Sequence, residues 1–467
     1  MAENSGTSRG SWGGKIGFVM AASGSAVGLG NLWKFPYITW HNNGGAFVLV
    51  YLVAVLAIGL PIMMAEILIG RHTQESPVPA FERLGGRAWS LVGWLGVLTG
   101  LVILGYYTVI AGWTITSFIS CVQWSVSGYE RPADGAFDQF VANGSLQLLL
   151  SFVFMALTAA VVLKGINKGI ERATKILMPI LLVIILYLVV MVLGLPERAQ
   201  TFAFLFKPNF SELPATGILE AVGHAFFTLS LGMGAMITYG SYMDRRESIA
   251  KNAAMVVLLD TVIALCACVI MYTIIFSAAD MEKTISGSTT VGMLFITIPR
   301  LLYTKIPFGA TIAPLFYVMV GFAALSSTIS LLEVLVSLLI DKLKIRRVKA
   351  TLIGAGAAFV VSILSALSLG AVPFLTKLNL FGEGKNGVLN TLDHLAANWM
   401  LPVGGLFITV FVGWVLDKRI LDAEIGMRRE DGSPTLAYTL LRFFLRFTAP
   451  VAILAVIVAV ILGKDFS

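Results

Sequence analysis

The sequence predicts an all-α integral membrane protein: eleven transmembrane helices, two inverted five-helix repeats with unwound first and sixth helices, plus an extra C-terminal helix. Three observations lead there. The 467 residues are 57% hydrophobic and 13% charged, with a mean hydropathy of +0.86, whereas a soluble chain carries roughly 25% charged residues. Eleven runs approach the ~20 apolar residues that a span needs. Two of them, the first and the sixth, are interrupted by glycine.

The runs cover residues 13–38, 46–70, 91–125, 147–163, 172–194, 216–242, 251–278, 310–340, 348–369, 390–416 and 437–463. Residues 1–12 form a polar cytoplasmic segment ahead of them. Residues 13–194 make a first repeat of helices one to five, 216–416 a second repeat of helices six to ten, and 437–463 helix eleven. The first run holds Gly, Asn, Lys and Pro and lacks a small-residue cleavage site, so no cleaved leader is expected. The stretch 279–309 is too polar to span. Its run 291–303 is expected to be a helix packed over the outer face.

Charge sets the orientation. With the N-terminus cytoplasmic, 23 of the 33 lysines and arginines fall in inward segments, nine fall outward, and Lys34 lies inside the first span. That asymmetry places the N-terminus in the cytoplasm and, after eleven spans, the C-terminus outside a multi-pass cell (inner) membrane. The net charge of +7 therefore reflects topology within a lipid bilayer; the bases lie between apolar runs, and no nucleic-acid patch forms.

Enzyme chemistry has little to work with. Cys121, Cys266 and Cys268 lie in expected helices and read as small buried apolar residues. Only four histidines occur, with no Ser/His/Asp or metal-ligand spacing. No feature assigns an oligomeric state.

The two interrupted spans carry the functional signal. The first contains Ser23-Gly-Ser-Ala-Val-Gly-Leu-Gly-Asn31, and the sixth Phe227-Thr-Leu-Ser-Leu-Gly-Met-Gly234. Glycine weakens a helix by about 1 kcal/mol against alanine, and unwound backbone at bilayer depth survives only when buried or lining a cavity. Either motif alone is compatible with close helix packing through small residues. At corresponding positions of two five-helix halves they point to a midplane binding site. Freed amides favour an anionic group and freed carbonyls favour cations, so a zwitterion with accompanying sodium suits the pair.

The string Gly24-Ser-Ala-Val-Gly-Leu-Gly-Asn-Leu-Trp-Lys-Phe-Pro36, followed by Asn43-Gly-Gly-Ala-Phe47, resembles the neurotransmitter:sodium symporter family. So do Tyr106-Tyr107, Lys168-Gly-Ile-Glu-Arg172, Phe226-Phe-Thr-Leu-Ser-Leu-Gly232 and Ala323-Ala-Leu-Ser-Ser327. Among members the chain looks most like bacterial eleven-helix carriers of hydrophobic and aromatic amino acids, of the multi-hydrophobic-substrate type. The resemblance implies two sodium ions. The first would use Ala26, Asn31, Thr228 and Asp260 with the substrate carboxylate, the second Gly24, Val27, Ala323, Ser326 and Ser327. The carboxylate would meet the Leu29 and Gly30 amides and the Tyr107 hydroxyl, and the amino group carbonyls near Ala26, Phe227 and Ser230. Ile103, Phe227, Met233 and Leu331 would line an apolar side-chain pocket beside Ser327.

Amine-transporting relatives place an aspartate where this chain has Gly28, so an amino acid with its own carboxylate is expected. Many relatives carry asparagine at the position of Asp260 and gain negative charge from bound chloride. Asp260 supplies that charge itself, and Ala264 offers no chloride ligand, so transport is expected to be independent of chloride.

The resemblance also implies gates. Arg9 and Asp341 align with an inner ion pair beside Trp12; the other reading is two solvated loop charges. Lys34, Phe227 and Tyr107 would close the outside. Lysine lacks the planar fork of the usual arginine, and the usual acidic partner falls at Ala396, leaving Asp393 one turn earlier. His224 stands where relatives commonly have glutamine and reads either as a titrating group or as a neutral hydrogen-bonding one. Glu66 is expected to bond the unwound sixth span. Gly169 and Pro179 mark a hinge that would unwind to wet the second sodium site, or simply a helix start. The rival functions are proton-coupled amino-acid exchange and a non-transporting nutrient sensor.

Overall fold

The computed structural model describes residues 10–133, 135–277, 292–382, 385–426 and 433–464. Nine continuous helices among them are long and apolar enough to cross a bilayer. They are α3 (Gly45–Thr73), α4 (Ser90–Ser127), α5 (Gly144–Leu163), α6 (Ile166–Leu193) and α9 (Ile249–Phe276), then α10 (Gly309–Leu343), α11 (Arg347–Leu367), α12 (Val388–Val415) and α13 (Leu436–Ile461). Ahead of them, α1 (Lys15–Ala26) and α2 (Gly30–His41) form one span bent by 51°. Between α6 and α9, α7 (Ala215–Thr228) and α8 (Ala235–Gly240) flank a non-helical stretch where the sixth span is expected. The bent pair brings the described spans to ten, and α7 with α8 occupies the place of the sixth of the eleven expected. A helix is the local answer because hydrocarbon offers backbone groups no partner outside the segment.

Side chains fix several helix starts. Asn143 accepts the Leu146 N–H at 3.2 Å ahead of α5, and the Ser248 and Thr435 hydroxyls do the same for α9 and α13. Prolines leave a second mark. The π-helical turns Gly30–Lys34, Val55–Gly59, Met293–Thr297, Leu395–Met400 and Phe444–Thr448 each end two residues before a proline, respectively Pro36, Pro61, Pro299, Pro402 and Pro450. Proline has no N–H to donate and crowds the carbonyl four residues back, so the ladder widens just ahead of it.

The core is built around α10 and α4, which pack along their length; α1 lies against α6, α9 and α10, and α8 against the second half of α3. The outermost layer includes α11 with α5, and α12 with α13. The helix expected over 291–303 runs through Met293–Thr297 and Ile298–Lys305 and packs on α10 and α9.

Candidate functional site

Both breaks are held open by named side chains. α1 stops where the Val27 N–H returns to the Ser23 carbonyl at 2.7 Å and Val27 turns extended, with φ −72° and ψ 103°. That leaves the next two amides without helical partners. The Gly28 N–H donates to Asn31 Oδ1 at 3.0 Å, and the Leu29 N–H donates to the Tyr107 hydroxyl at 3.0 Å. In the second break Gly232 takes φ +78°, and a Cβ there would stand 2.7 Å from the Leu401 carbonyl oxygen, so only glycine fits. Its N–H donates to Glu66 Oε1 at 2.7 Å, the contact expected of Glu66.

Three polar side chains meet between the breaks. The Asn31 amide nitrogen donates to Asp260 Oδ1 at 2.7 Å and to Thr228 Oγ1 at 3.0 Å. Thr228 Oγ1 donates in turn to the Asp260 carboxylate, at 3.1 and 3.2 Å to its two oxygens. Asn31, Thr228 and Asp260 are buried, as is Ala26 beside them. This is an all-oxygen and amide environment around one buried carboxylate, suited to a small hard cation.

A second oxygen cluster lies between α1 and α10. Ser327 Oγ lies within hydrogen-bond reach of three carbonyls that compete for its one proton, those of Val27 at 3.4 Å, Ser25 at 3.3 Å and Ala323 at 3.1 Å. Ser326 Oγ donates to the Ala323 carbonyl at 3.0 Å. A Cβ on Gly24 would sit 3.1 Å from Ser326 Cβ, with Met178 Sδ at 3.4 Å. The five residues expected at the second sodium site are thus gathered, and Met178 joins them from α6.

A cavity of about 30 Å³ occupies the middle. Ala26, Gly30, Ile103, Tyr107 and Phe227 line it, together with Ser230, Met233, Ser327 and Leu331. Leu29 reaches it through its amide on Tyr107. Gly28 lies at its wall, where an added Cβ would come within 2.7 Å of Ser327 Oγ and 3.0 Å of the Tyr107 hydroxyl. Two further lining residues, Ser25 and Ser330, escaped the sequence reading. Ser25 Oγ donates to Ser330 Oγ at 2.8 Å, and Ser230 Oγ donates to the Ser25 carbonyl at 2.8 Å. This space is about water-sized, so a larger guest requires the walls to part.

The gate residues divide. Arg9 lies outside the described residues. Asp341 accepts the Ser76 N–H at 2.7 Å. Trp12 is buried beneath α8: its indole N–H donates to the Tyr239 carbonyl at 2.9 Å and its ring stands edge-on to Tyr239 and Tyr242. At the other end the ammonium of Lys34 sits 5.1 Å over the Phe227 ring. It forms no ion pair with Asp393 among the described residues; the Asp393 carboxylate faces the Tyr106 hydroxyl instead. The sequence left the outer partner of Lys34 open, and among the described residues its ammonium meets the Phe227 ring rather than a carboxylate. His224 stacks on Phe35 at 5.4 Å and 15°, and neither ring nitrogen has a hydrogen-bond partner among the described residues. Of the two readings of His224, the hydrogen-bonding one finds no partner among the described residues.

At the hinge, Gly169 lies in the π-helical turn Ile166–Glu171, and α6 runs on through Pro179 as a wound helix. Glu171 of that turn accepts the Gly13 N–H at 2.9 Å, tying the hinge to the N-terminal segment. A further buried network had no sequence signal. Glu333 on α10 accepts the Tyr242 hydroxyl at 2.7 Å and pairs with Arg347, whose Nε donates to the Val162 carbonyl at 2.8 Å.

Comparison with known proteins agrees with this architecture. The sodium:neurotransmitter symporter family matches residues 9–143 and 127–465. The chain is 35% identical over 447 residues to the uncharacterized sodium-dependent transporter YhdH of Bacillus subtilis (strain 168), covering 95% of this chain and 96% of that protein. It is 25% identical to the human sodium- and chloride-dependent GABA transporter 2, covering 89% of this chain and 74% of the other. The crystal structure of MhsT in complex with L-phenylalanine superposes with a TM-score of 0.85 at 37% identity, over 97% of this chain and 99% of that one. These relatives are membrane transporters rather than enzymes, and the chain belongs to the sodium:neurotransmitter symporter family.

Proposed function

We propose that the chain is a sodium-coupled symporter of hydrophobic and aromatic L-amino acids that works by alternating access and needs no chloride. The observation that carries this reading is the pairing of the Leu29 amide at the break with Tyr107 in a cavity whose apolar walls include Ile103, Met233 and Leu331. The amides of Leu29 and Gly30 and the Tyr107 hydroxyl receive a carboxylate. The carbonyls around Ala26, Phe227 and Ser230 receive an ammonium. The apolar walls take the side chain, as suits a relative of a protein crystallised with L-phenylalanine.

Sodium occupies two places in this reading. One ion joins Ala26, Asn31, Thr228 and Asp260 to the bound carboxylate; the other lies among Gly24, Val27, Ala323, Ser326 and Ser327. Asp260 supplies in the first site the negative charge that chloride supplies elsewhere. The two repeats, 13–194 and 216–416, rock about this centre with helix 437–463 outside them. The N-terminus faces the cytoplasm and the C-terminus the outside. Lys34 and Phe227 close the outer path; Trp12, with Arg9 and Asp341, closes the inner one. The segment between Gly169 and Pro179 unwinds to release the second ion.

The test is equilibrium binding of labelled L-phenylalanine to the purified protein in sodium gluconate. The reading requires saturable, sodium-dependent binding displaced by leucine and tryptophan and not by GABA. Displacement by GABA, or binding only after chloride is added, contradicts it.

A further inference from the structure

A second and larger cavity, about 440 Å³, opens at the far end of α4. That volume lies within the range of small-molecule sites. At 38 residues α4 is about 57 Å long, well beyond the ~30 Å of a hydrocarbon core. Its start packs on Pro77 and Val78, next to Ser76, whose N–H meets Asp341 in a pocket that Gly10 also lines, so its last turns lie at the opposite end, the outer one in the proposed topology. Those turns supply Ser117, Ser120 and Cys121 to one wall.

Two aromatic clusters bracket the space. On one side Trp124, Tyr129 and Tyr303 pack together, with Tyr129 and Tyr303 stacked at 5.2 Å and 5°. On the other, Phe137, Phe140 and Phe295 gather around Trp113. Arg131 and Arg300, both exposed, also line the cavity, and both guanidiniums act electrostatically on the Tyr129 phenol. Asp138 is the one acid among the described residues of the lining. Guanidiniums match carboxylates through paired N–H groups, and the flat ring faces between them favour an apolar, planar body.

We propose that this outer cavity is a second binding site, distinct from the central one, for a small apolar carboxylate held by Arg131 and Arg300 with its body between the two aromatic clusters. The site reaches the transport path through Phe295. That ring lines the cavity and stands 6.4 Å from Trp33, the residue before Lys34 on the broken helix. A ligand that displaces Phe295 therefore bears on the segment that closes the outer side. The inference is independent of what the central cavity carries.

The test uses labelled 3-phenylpropionate, which lacks an amino group, on the full-length protein in phosphatidylcholine nanodiscs. Saturable binding that survives saturating L-phenylalanine is expected. It should fall at least tenfold both in the R131A/R300A double variant and in Ser120→Trp, which fills the cavity. Both variants should keep wild-type sodium-driven uptake without the probe, which shows that they fold. The probe should change the maximal uptake rate of wild-type protein at least twofold without changing that of Ser120→Trp. Displacement by L-phenylalanine, unchanged binding in both variants, or no saturable binding overturns the proposal. Unchanged uptake despite binding overturns the link through Phe295. If anionic phosphatidylglycerol discs block the probe where phosphatidylcholine discs do not, the site belongs to a lipid headgroup and the small-molecule assignment falls.

Discussion

Asn31 on α2 donates its side-chain amide to the Asp260 carboxylate on α9 at 2.7 Å, 229 positions away in sequence. The same Asn31 accepts the Gly28 N–H through its Oδ1. One asparagine therefore couples the geometry of the first break to the buried charge beside it. A carboxylate at this depth is costly unless paired or used; here it has a hydrogen-bonded frame, and in the proposed reading it also receives a cation.

Asp260→Asn removes that charge while keeping the shape. Losing a hydrogen bond to a charged group costs about 1.5–3 kcal/mol. The sodium concentration for half-maximal uptake should therefore rise by roughly ten- to a hundredfold, since 1.4 kcal/mol is tenfold. Wild-type uptake should be unchanged when gluconate replaces chloride. Chloride dependence of the wild type, or an unaltered sodium requirement in the variant, would refute the role given to Asp260.

Tyr107→Phe deletes the hydroxyl that meets the Leu29 amide. The loss of one hydrogen bond to a charged carboxylate, ~1.5–3 kcal/mol, should weaken L-phenylalanine binding by roughly ten- to a hundredfold. Sodium binding measured without substrate should stay near wild type. Equal losses in both would mean that the tyrosine only supports the fold.

Gly28 separates a steric reading from an electrostatic one. Any Cβ at this position crowds Ser327 Oγ and the Tyr107 hydroxyl, so Gly28→Ala should reduce amino-acid uptake. Gly28→Asp should abolish it, because a fixed carboxylate competes with that of the substrate for the same amides. Retained uptake in Gly28→Asp would move the substrate carboxylate elsewhere.

Much of this architecture is legible in the chain because hydrocarbon imposes simple demands. α3 was expected at 46–70 and runs Gly45–Thr73; α13 was expected at 437–463 and runs Leu436–Ile461. The breaks were legible because glycine clusters stand out in apolar runs. Side-chain networks outside the family-like motifs were not. Glu333 and Arg347 lie on consecutive helices and Tyr242 lies 91 positions before Glu333, with no periodicity to pair them. The outer partner of Lys34 stayed open in the sequence for a related reason: only packing sets its ammonium over the Phe227 ring rather than beside Asp393.

Glu333→Gln tests that missed network. Removing one member of a buried ion pair costs about 3–5 kcal/mol, and Arg347 would lose its carboxylate partner beside α8. The thermal midpoint of the purified protein should fall by several degrees. Restoration by the double variant E333Q/R347Q would show that the pair, rather than either side chain alone, is responsible.

Coupling is the central claim, and one measurement addresses it directly: uptake of labelled L-phenylalanine into proteoliposomes under an inward sodium gradient, an inward proton gradient, or neither. Concentrative uptake with sodium alone, unchanged by dissipating the proton gradient, is the predicted result. Equal uptake driven by protons without sodium would contradict it.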